Sequence, residues 1–429
     1  MKNKNLYLII TCILSTSALP ITQASIQCAL IIDAGSSGSR AHLYQYDLNK
    51  RHFGKVAELE KAAKLSPGLS TISADKASDY ISELLKKVNI PNSCYSDASK
   101  VQFGIYGTAG MRLLSQDAQK AIYQAIRTTL QQQPNSKKFN IFPHGIRTIS
   151  GRWEGIFAWI DNNWDNAKFR LTAHTNGILE MGGASTQITF HPTTNVHDNN
   201  ITWINLGHRP ISIYSASYLG LGQDQLRNQF LNHTTCFPNG YKLPNGKRSQ
   251  FADYAVCQRS ISPLITKVHQ VQAINNLIDA NKTFNALSGF SYTAKFFNLQ
   301  SLSADLLKQK GKQFCATSWD QLQKTYPNNP FLYTYCINSA YFSRLLSRGY
   351  QLPSNATIIP THTNRDGSNI SWTRGTLIYL ENNPSTKKHL CPHHTTQETQ
   401  STKNQSDSYI KEQLSDNQNP YKNQAEHKC

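Results

Sequence analysis

Asp33-Ala-Gly-Ser-Ser-Gly-Ser-Arg40 and Glu180-Met-Gly-Gly-Ala-Ser-Thr-Gln187 decide how this chain is read. Each follows an apolar run, residues 28–32 before the first and 177–179 before the second, that reads as a buried strand. Glycines let a backbone take positive φ and approach a ligand closely. Successive N–H groups in such a turn form an anion-binding nest. Ser36, Ser37, Ser39, Ser185 and Thr186 add short hydroxyl donors. The acid that opens each turn would repel a phosphate. It makes sense if a divalent cation, directly or through its waters, sits between carboxylate and phosphate. One such turn is an ordinary hairpin. Two with matched polarity describe a cleft that grips a phosphate chain from both sides. They lie 147 residues apart, each early in its half, which reads as a repeated lobe.

A chain of 429 residues exceeds what one core usually serves, so two lobes are expected. Met1-Lys-Asn-Lys-Asn5 and an apolar run over residues 6–19 lead to Thr22-Gln-Ala24. That is the pattern of a secretory signal over residues 1–24. The run is too short for a membrane anchor, so an exported protein of the periplasm or the extracellular space is expected, acting as a monomer. Removing the signal takes Cys12 and leaves eight of the nine cysteines: Cys28, Cys94, Cys236, Cys257, Cys315, Cys336, Cys391 and Cys429. An even count in an exported chain favours disulfides. The short loops Cys236/Cys257 and Cys315/Cys336 are the expected pairs. The net charge of +18 favours anionic partners. No basic stripe interleaved with aromatics points to nucleic acid.

Strand-like and helix-like runs alternate between residues 25 and 380, a mixed α/β pattern. Residues 28–32 and 41–46 read as a strand pair around the first turn. An amphipathic helix is predicted over 74–88, a strand over 101–106 and a helix over 115–131. Residues 381–429 are polar and read as a loosely held tail.

Two further segments carry chemistry. Tyr106-Gly-Thr-Ala-Gly-Met-Arg112 is another strand with a small-residue turn, and Thr108 is placed to reach a phosphate or a metal-bound water. Ser150-Gly-Arg-Trp-Glu-Gly-Ile-Phe-Ala-Trp159 sets Glu154 at the start of an apolar helical run. Apolar neighbours raise a carboxyl pKa, which suits a general base. A helix N-terminus also favours an acid for its dipole alone. The two phosphate turns favour the base.

In order and wording these four segments resemble the conserved regions of the nucleoside triphosphate diphosphohydrolase (ecto-apyrase) family, closest in style to secreted bacterial members. A fifth region resembles it too: Gly289-Phe-Ser-Tyr-Thr293, Leu345-Leu-Ser-Arg-Gly-Tyr350, then Ser371-Trp372. The resemblance runs over residues 29–380. It implies an actin-like (ASKHA) fold of two ribonuclease-H-like lobes with the nucleotide cleft between them. Lobe I would hold residues 25–150 and 358–380, and lobe II residues 151–357. It implies hydrolysis of nucleoside tri- and diphosphates, with Glu154 taking the proton of the attacking water and Ser185 and Gln187 orienting that water. Asp33, Thr108, Glu154, Glu180 and Trp372 would hold Mg²⁺ or Ca²⁺, with Mn²⁺ a third candidate, mostly through water. Ser36, Ser37, Gly38, Ser39, Arg40, Gly182, Gly183 and Ala184 would line the phosphates. Tyr350, ahead of Tyr292, would stack on the base.

One departure stands out. The family's fourth region begins with Asp, and here it is Glu180. The extra methylene moves the carboxylate outward by about 1.5 Å, one C–C bond. Two alternatives compete with a nucleotidase. An exopolyphosphatase-like hydrolase shares the acid–Gly–Ser and Gly-Gly-x-Ser-Thr turns. A secreted binding protein without catalysis would not need Glu154, Ser185 and Gln187.

Overall fold

The computed structural model describes residues 25–48, 53–95, 100–132, 134–193, 198–206, 210–364 and 366–383. The expected export signal, and the tail from residue 384 onward with Cys391 and Cys429, lie outside the described residues.

The first lobe is a sheet of β1 (Ser25–Ala34), β2 (Ser39–Leu48), β3 (Phe53–Glu58), β4 (Ala63–Leu65), β5 (Val101–Gly107) and β6 (Phe139–Thr148). Its order is β3-β2-β1-β5-β6, with β4 also on β2. Side chains of β1 alternate. Cys28, Leu30 and Ile32 enter an outer core with α1 (Ala77–Lys86) and α3 (Gln116–Gln131), while Ala29 and Ile31 enter an inner core. A strand covered on both faces has to be apolar throughout, hence the unbroken run. The helix expected over 74–88 is α1, entered through a 3₁₀ turn at Ala74–Lys76. Ser115 caps α3 by accepting from Ala118 N at 3.3 Å. Short turns α2 (Ala109–Arg112) and α4 (Asn135–Lys138) complete this half.

After α5 (Gly151–Asn163) and the small pair β7 (Trp164–Asp165) and β8 (Arg170–Leu171), the second sheet forms. It holds β9 (Gly177–Met181), β10 (Ser185–Phe190), β11 (Ile201–Asn205), β12 (Pro210–Leu219), β13 (Thr283–Ser288) and β14 (Thr357–Pro360), in the order β11-β12-β10-β9-β13-β14. Helices α6 (Gln223–Gln229), α7 (Tyr254–Pro263), α8 (Gly289–Phe296), α9 (Ala304–Ala316), α10 (Trp319–Thr325) and α11 (Thr334–Arg344) build the rest of this lobe, and α12 (Trp372–Asn382) ends the described chain.

The repeat expected from the two glycine turns is present in the topology. β1 pairs antiparallel with β2 and parallel with β5, as β9 pairs antiparallel with β10 and parallel with β13. Across the first hairpin Asp33 faces Arg40, and across the second Glu180 faces Gln187.

Helices α5 and α12 fill the layer between the sheets. Ile156, Phe157 and Trp159 share one core with Leu377 and Ile378, with Ala29 and Ile31 of the first sheet, and with Ile178 and Ile213 of the second. The two helices cross closely, since a Cβ added to Gly375 would run into the Phe157 backbone. Arg374 forms a buried ion pair with Asp161, whose carboxylate also accepts from Ser371 N at 2.7 Å. Hydrogen bonds on every side make a buried charge pair tolerable.

Two boundaries differ from expectation. Residues 357–360 are β14, hydrogen-bonded to β13, so the chain leaves the second sheet only after Pro360. The tail does not start at 381, because α12 runs to Asn382 and Tyr46 Oη donates to Glu381 Oε1 at 3.2 Å. Both expected short disulfides, Cys236–Cys257 and Cys315–Cys336, are formed. A third, Cys28–Cys94, ties β1 to the turn after α1.

Candidate active site

The two glycine turns face each other at the carboxyl ends of β1 and β9. A Cβ added to Gly183 would lie 2.8 Å from Ser36 Oγ, so side chains larger than hydrogen would close the gap. The first turn is closed by Gly35 N donating to Gly38 O at 3.1 Å. Ser36 is half-buried and Ser37 exposed on it. The second is closed by Gly182 N donating to Ser185 O at 3.0 Å. It is braced from behind, because Asp224 N and Gln225 N at the start of α6 both donate to Gly183 O. Ala184 is buried in the same turn. Thr108 N donates to Ala34 O at 3.2 Å, which seats the third segment beside the first turn.

Beside these turns lies a buried cluster of polar side chains. Ser150 caps α5 by accepting from Trp153 N at 3.4 Å, which places Glu154 in the first turn of that helix. Gln187 Nε2 donates to Ser185 Oγ at 2.7 Å and to Ser217 Oγ at 3.1 Å, and lies 3.5 Å from Glu154 Oε2. The structure thus brings Glu154, Ser185 and Gln187 together from α5 and β10. The surroundings of Glu154 are less apolar than its sequence neighbours imply. Arg112 Nη2 donates to Glu154 Oε2 at 3.0 Å and to Ser185 Oγ at 3.1 Å.

Two other carboxyls face this cluster. Burial pushes Asp33 up to about 6, with Arg40 pulling it down and Glu154 pushing it further up. Burial pushes Glu180 up to about 8, and the charges of Glu154 and then Asp33 add to that, against a hydrogen bond from Ser288. That bond is 3.2 Å, from Ser288 Oγ to Glu180 Oε1. Asp33 Oδ1 is buried with no hydrogen-bond partner in the structure. Asp33 and Glu180, pushed up by burial and by neighbouring acids, with an orphaned oxygen between them, are a donor set that a divalent cation would complete. Among the described residues no group of three His, Cys, Asp or Glu is close enough to hold a bare ion. A cation at this set would be reached through its waters.

The remaining expected residues are placed as follows. Arg40 lies 3.5 Å from Asp33 with its side chain 39% exposed, open to the cleft. Trp372 starts α12 and packs edge-on against Tyr106, the residue beside Asp33 on β5, at 6.4 Å between ring centres. Ser39 departs from expectation. Strand alternation points it away from Arg40, into the outer layer, where it is buried and accepts from Tyr80 Oη at 3.0 Å. Tyr350 is a second correction. It follows a π-helical turn, Leu345–Gly349, that brings it into the core of the second lobe. There its hydroxyl lies 3.4 Å from Thr186 Oγ1 and no ring face is left for a base. The open ring is Tyr292, 59% exposed on α8, with its centre 4.9 Å from that of His362. A separate polar cavity of about 170 Å³, lined by Asn162, Asn176, Asn285 and Asn364, holds no carboxylate and lies at the far end of α5 from Glu154.

Sequence reasoning gave no role to Arg112, Ser217 or Ser288. Arg112 stood inside a quoted segment, but its partners are 42 and 73 residues away. Ser217 is identified only by the register that pairs it with Gln187.

The chain is similar to a probable apyrase of Arabidopsis thaliana, 29% identical over 86% of this chain and 85% of that protein. It is similar to ectonucleoside triphosphate diphosphohydrolase 1 of Bos taurus, 26% identical over 89% of this chain and 87% of the relative. Among solved structures, a nucleoside triphosphate hydrolase from Neospora caninum superposes with a TM-score of 0.62 at 15% identity, covering 85% of this chain and 94% of that one. That likeness establishes the actin-like, two-lobed fold. A sequence profile matches residues 20–393, and the chain belongs to the GDA1/CD39 (nucleoside phosphatase) family.

Proposed function

We propose that the chain is an exported apyrase that removes the terminal phosphate of nucleoside tri- and diphosphates. The observation that carries this reading is the meeting of Glu154, Ser185 and Gln187 beside two opposed glycine turns. Water attacks the terminal phosphorus in line, and its proton passes to Glu154. The new P–O bond forms as the bond to the leaving phosphate breaks, so no covalent enzyme intermediate arises. Positioning and charge neutralisation supply the rate. A divalent cation, when bound, neutralises charge on the phosphate oxygens. Asp33, Glu180 and Thr108 are the residues suited to hold its waters, with Trp372 beside them. Ser36, Ser37, Gly38, Gly182, Gly183 and Ala184 line the phosphates, and Arg40 pairs with the terminal one. Tyr292 takes the base-stacking role that the burial of Tyr350 removes.

Export rests on the N-terminal pattern. No helix among the described residues is long and apolar enough to cross a membrane. The exopolyphosphatase-like alternative is less favoured, because the family match and the relatives named apyrase point to nucleotides. Phosphate release from ATP, ADP and long-chain polyphosphate, each with Mg²⁺, Ca²⁺ or Mn²⁺, tests the reading. Release from both nucleotides with a cation is expected. Binding of ATP without release under every cation would replace the enzyme by a binding protein, and faster release from polyphosphate would favour the alternative.

A further inference from the structure

A serine hydroxyl has one proton to give and two positions at which to accept. On Ser185 both accepting positions are filled, by Gln187 Nε2 at 2.7 Å and by Arg112 Nη2 at 3.1 Å. Its proton therefore has to be donated. Glu154 is constrained on one side in the same way. Its Oε2 accepts from Arg112 Nη2 at 3.0 Å and faces Gln187 Nε2 at 3.5 Å. Its Oε1 meets no donor among the described residues and keeps its accepting capacity.

The neighbours of the Gln187 amide favour this orientation. Its Nε2 also donates to Ser217 Oγ at 3.1 Å, and a flipped amide would set its oxygen against the Glu154 carboxylate. The guanidinium is equally committed, since Nη1 donates to Ile149 O at 3.0 Å while the two hydrogens of Nη2 serve Glu154 and Ser185. Arg112 comes from α2 of the first lobe, Glu154 from α5 in the layer between the lobes, and Ser185 from β10 of the second. One nitrogen thus joins all three parts at the point of chemistry.

We propose that Arg112 is a positioning residue of the hydrolytic centre, which by occupying Glu154 Oε2 and Ser185 Oγ leaves Oε1 as proton acceptor and Ser185 as donor. The proposal rests on the hydrolytic reading of Glu154 given above. A water held between them accepts the Ser185 proton as a hydrogen bond and surrenders its own proton to Oε1. Its oxygen is then free to bond to phosphorus as the P–O bond to the leaving group breaks.

Two other roles predict different behaviour. An arginine that binds substrate phosphate would be open to the cleft, as Arg40 is. The Arg112 side chain is only 12% exposed and its donors point at protein. A merely structural ion pair would be replaceable by a lysine with little kinetic effect. A lysine ammonium is a point charge that cannot reproduce the planar fork serving Ile149, Glu154 and Ser185 together.

The test uses Arg112→Ala, Arg112→Lys and Glu154→Gln in steady-state hydrolysis of ATP with Mg²⁺. For Arg112→Ala, kcat is expected to fall about 100-fold, the scale of a misplaced reacting group, with KM changed less than about threefold. Arg112→Lys recovers less than about a tenth of the loss. Free guanidinium restores part of kcat in Arg112→Ala and none in Glu154→Gln. A kcat within about threefold of wild type, or a raised KM at unchanged kcat, overturns the positioning role. If Arg112→Ala does not fold, Arg112→Gln carries the same expectations and the same overturning outcomes. An active Glu154→Gln sinks the hydrolytic reading itself. An inactive Glu154→Gln beside a fully active Arg112→Ala sinks only the role of Arg112.

Discussion

The hairpins around Asp33–Arg40 and Glu180–Gln187 share a frame and differ in what stands opposite the acid. In the first, Asp33 faces Arg40, a half-open cation 3.5 Å away. In the second, Glu180 faces Gln187, a buried amide committed to Ser185 and Ser217. An exposed guanidinium can follow a phosphate that arrives and leaves. A buried amide fixed at two points can hold a hydroxyl in one orientation. In the proposed reaction the same supersecondary unit would serve as a gripping turn in one lobe and an aiming turn in the other.

Removing the acid of the aiming turn should have the largest effect. Glu180→Ala is expected to lower kcat by about 1,000-fold or more, because the phosphate charge then lacks its counter-ion site. Glu180→Asp, which shortens the side chain to the family's usual acid, should stay within about tenfold of wild type, on the scale of one misplaced methylene. Measured kcat in the alanine variant close to wild type would remove Glu180 from the cation site.

The division between gripping and aiming predicts a kinetic split. Gln187→Ala is expected to cost about 100-fold in kcat with KM nearly unchanged. Arg40→Ala should raise KM about tenfold and leave most of kcat, since one exposed charge-assisted contact is worth about 1.4 kcal/mol. The same split reversed would break the comparison.

Acidity sharpens it next. Asp33 and Glu180 have folded pKa values of about 6 and about 8, above those of free carboxyls. Such groups hold their protons more tightly folded than unfolded, so without a cation stability is highest below the unfolded values. It is lost as pH rises towards about 8. In EDTA the melting temperature should fall between pH 5 and pH 9, and Mg²⁺ should restore more of it at the upper end. A melting temperature that rises with pH in EDTA would contradict the burial and mutual repulsion of these acids.

The smallest effect concerns the base. Tyr292→Ala should raise KM about fivefold, near the lower end of a stacking contact. Tyr350→Phe should leave KM alone and lower the melting temperature slightly, as expected for a core hydroxyl facing Thr186.

The fold was readable because its signals are local. The apolar run of residues 28–32, the paired turns and the 21-residue cysteine spacings all act within a few turns of chain. The Cys28–Cys94 bridge spans 66 residues and depends on where α1 returns, which no local pattern records. In the site, the outward face of Ser39 was available from period-two alternation, since Arg40 beside it had been placed in the cleft. The burial of Tyr350 was not, because it depends on a π-helical turn closing against the core. Arg112 and Ser217 depend on contacts between lobes and between strands, which appear only once the two sheets are assembled.

In the proposed reaction the second turn and Glu154 activate water while the first turn holds phosphate. Single-turnover hydrolysis of ATP with Mg²⁺, with ATP affinity measured in parallel, tests it most directly in Glu154→Gln. The account predicts affinity within about threefold of wild type and a hydrolysis rate lower by about 100- to 10,000-fold. A rate near that of wild type at unchanged affinity would contradict it.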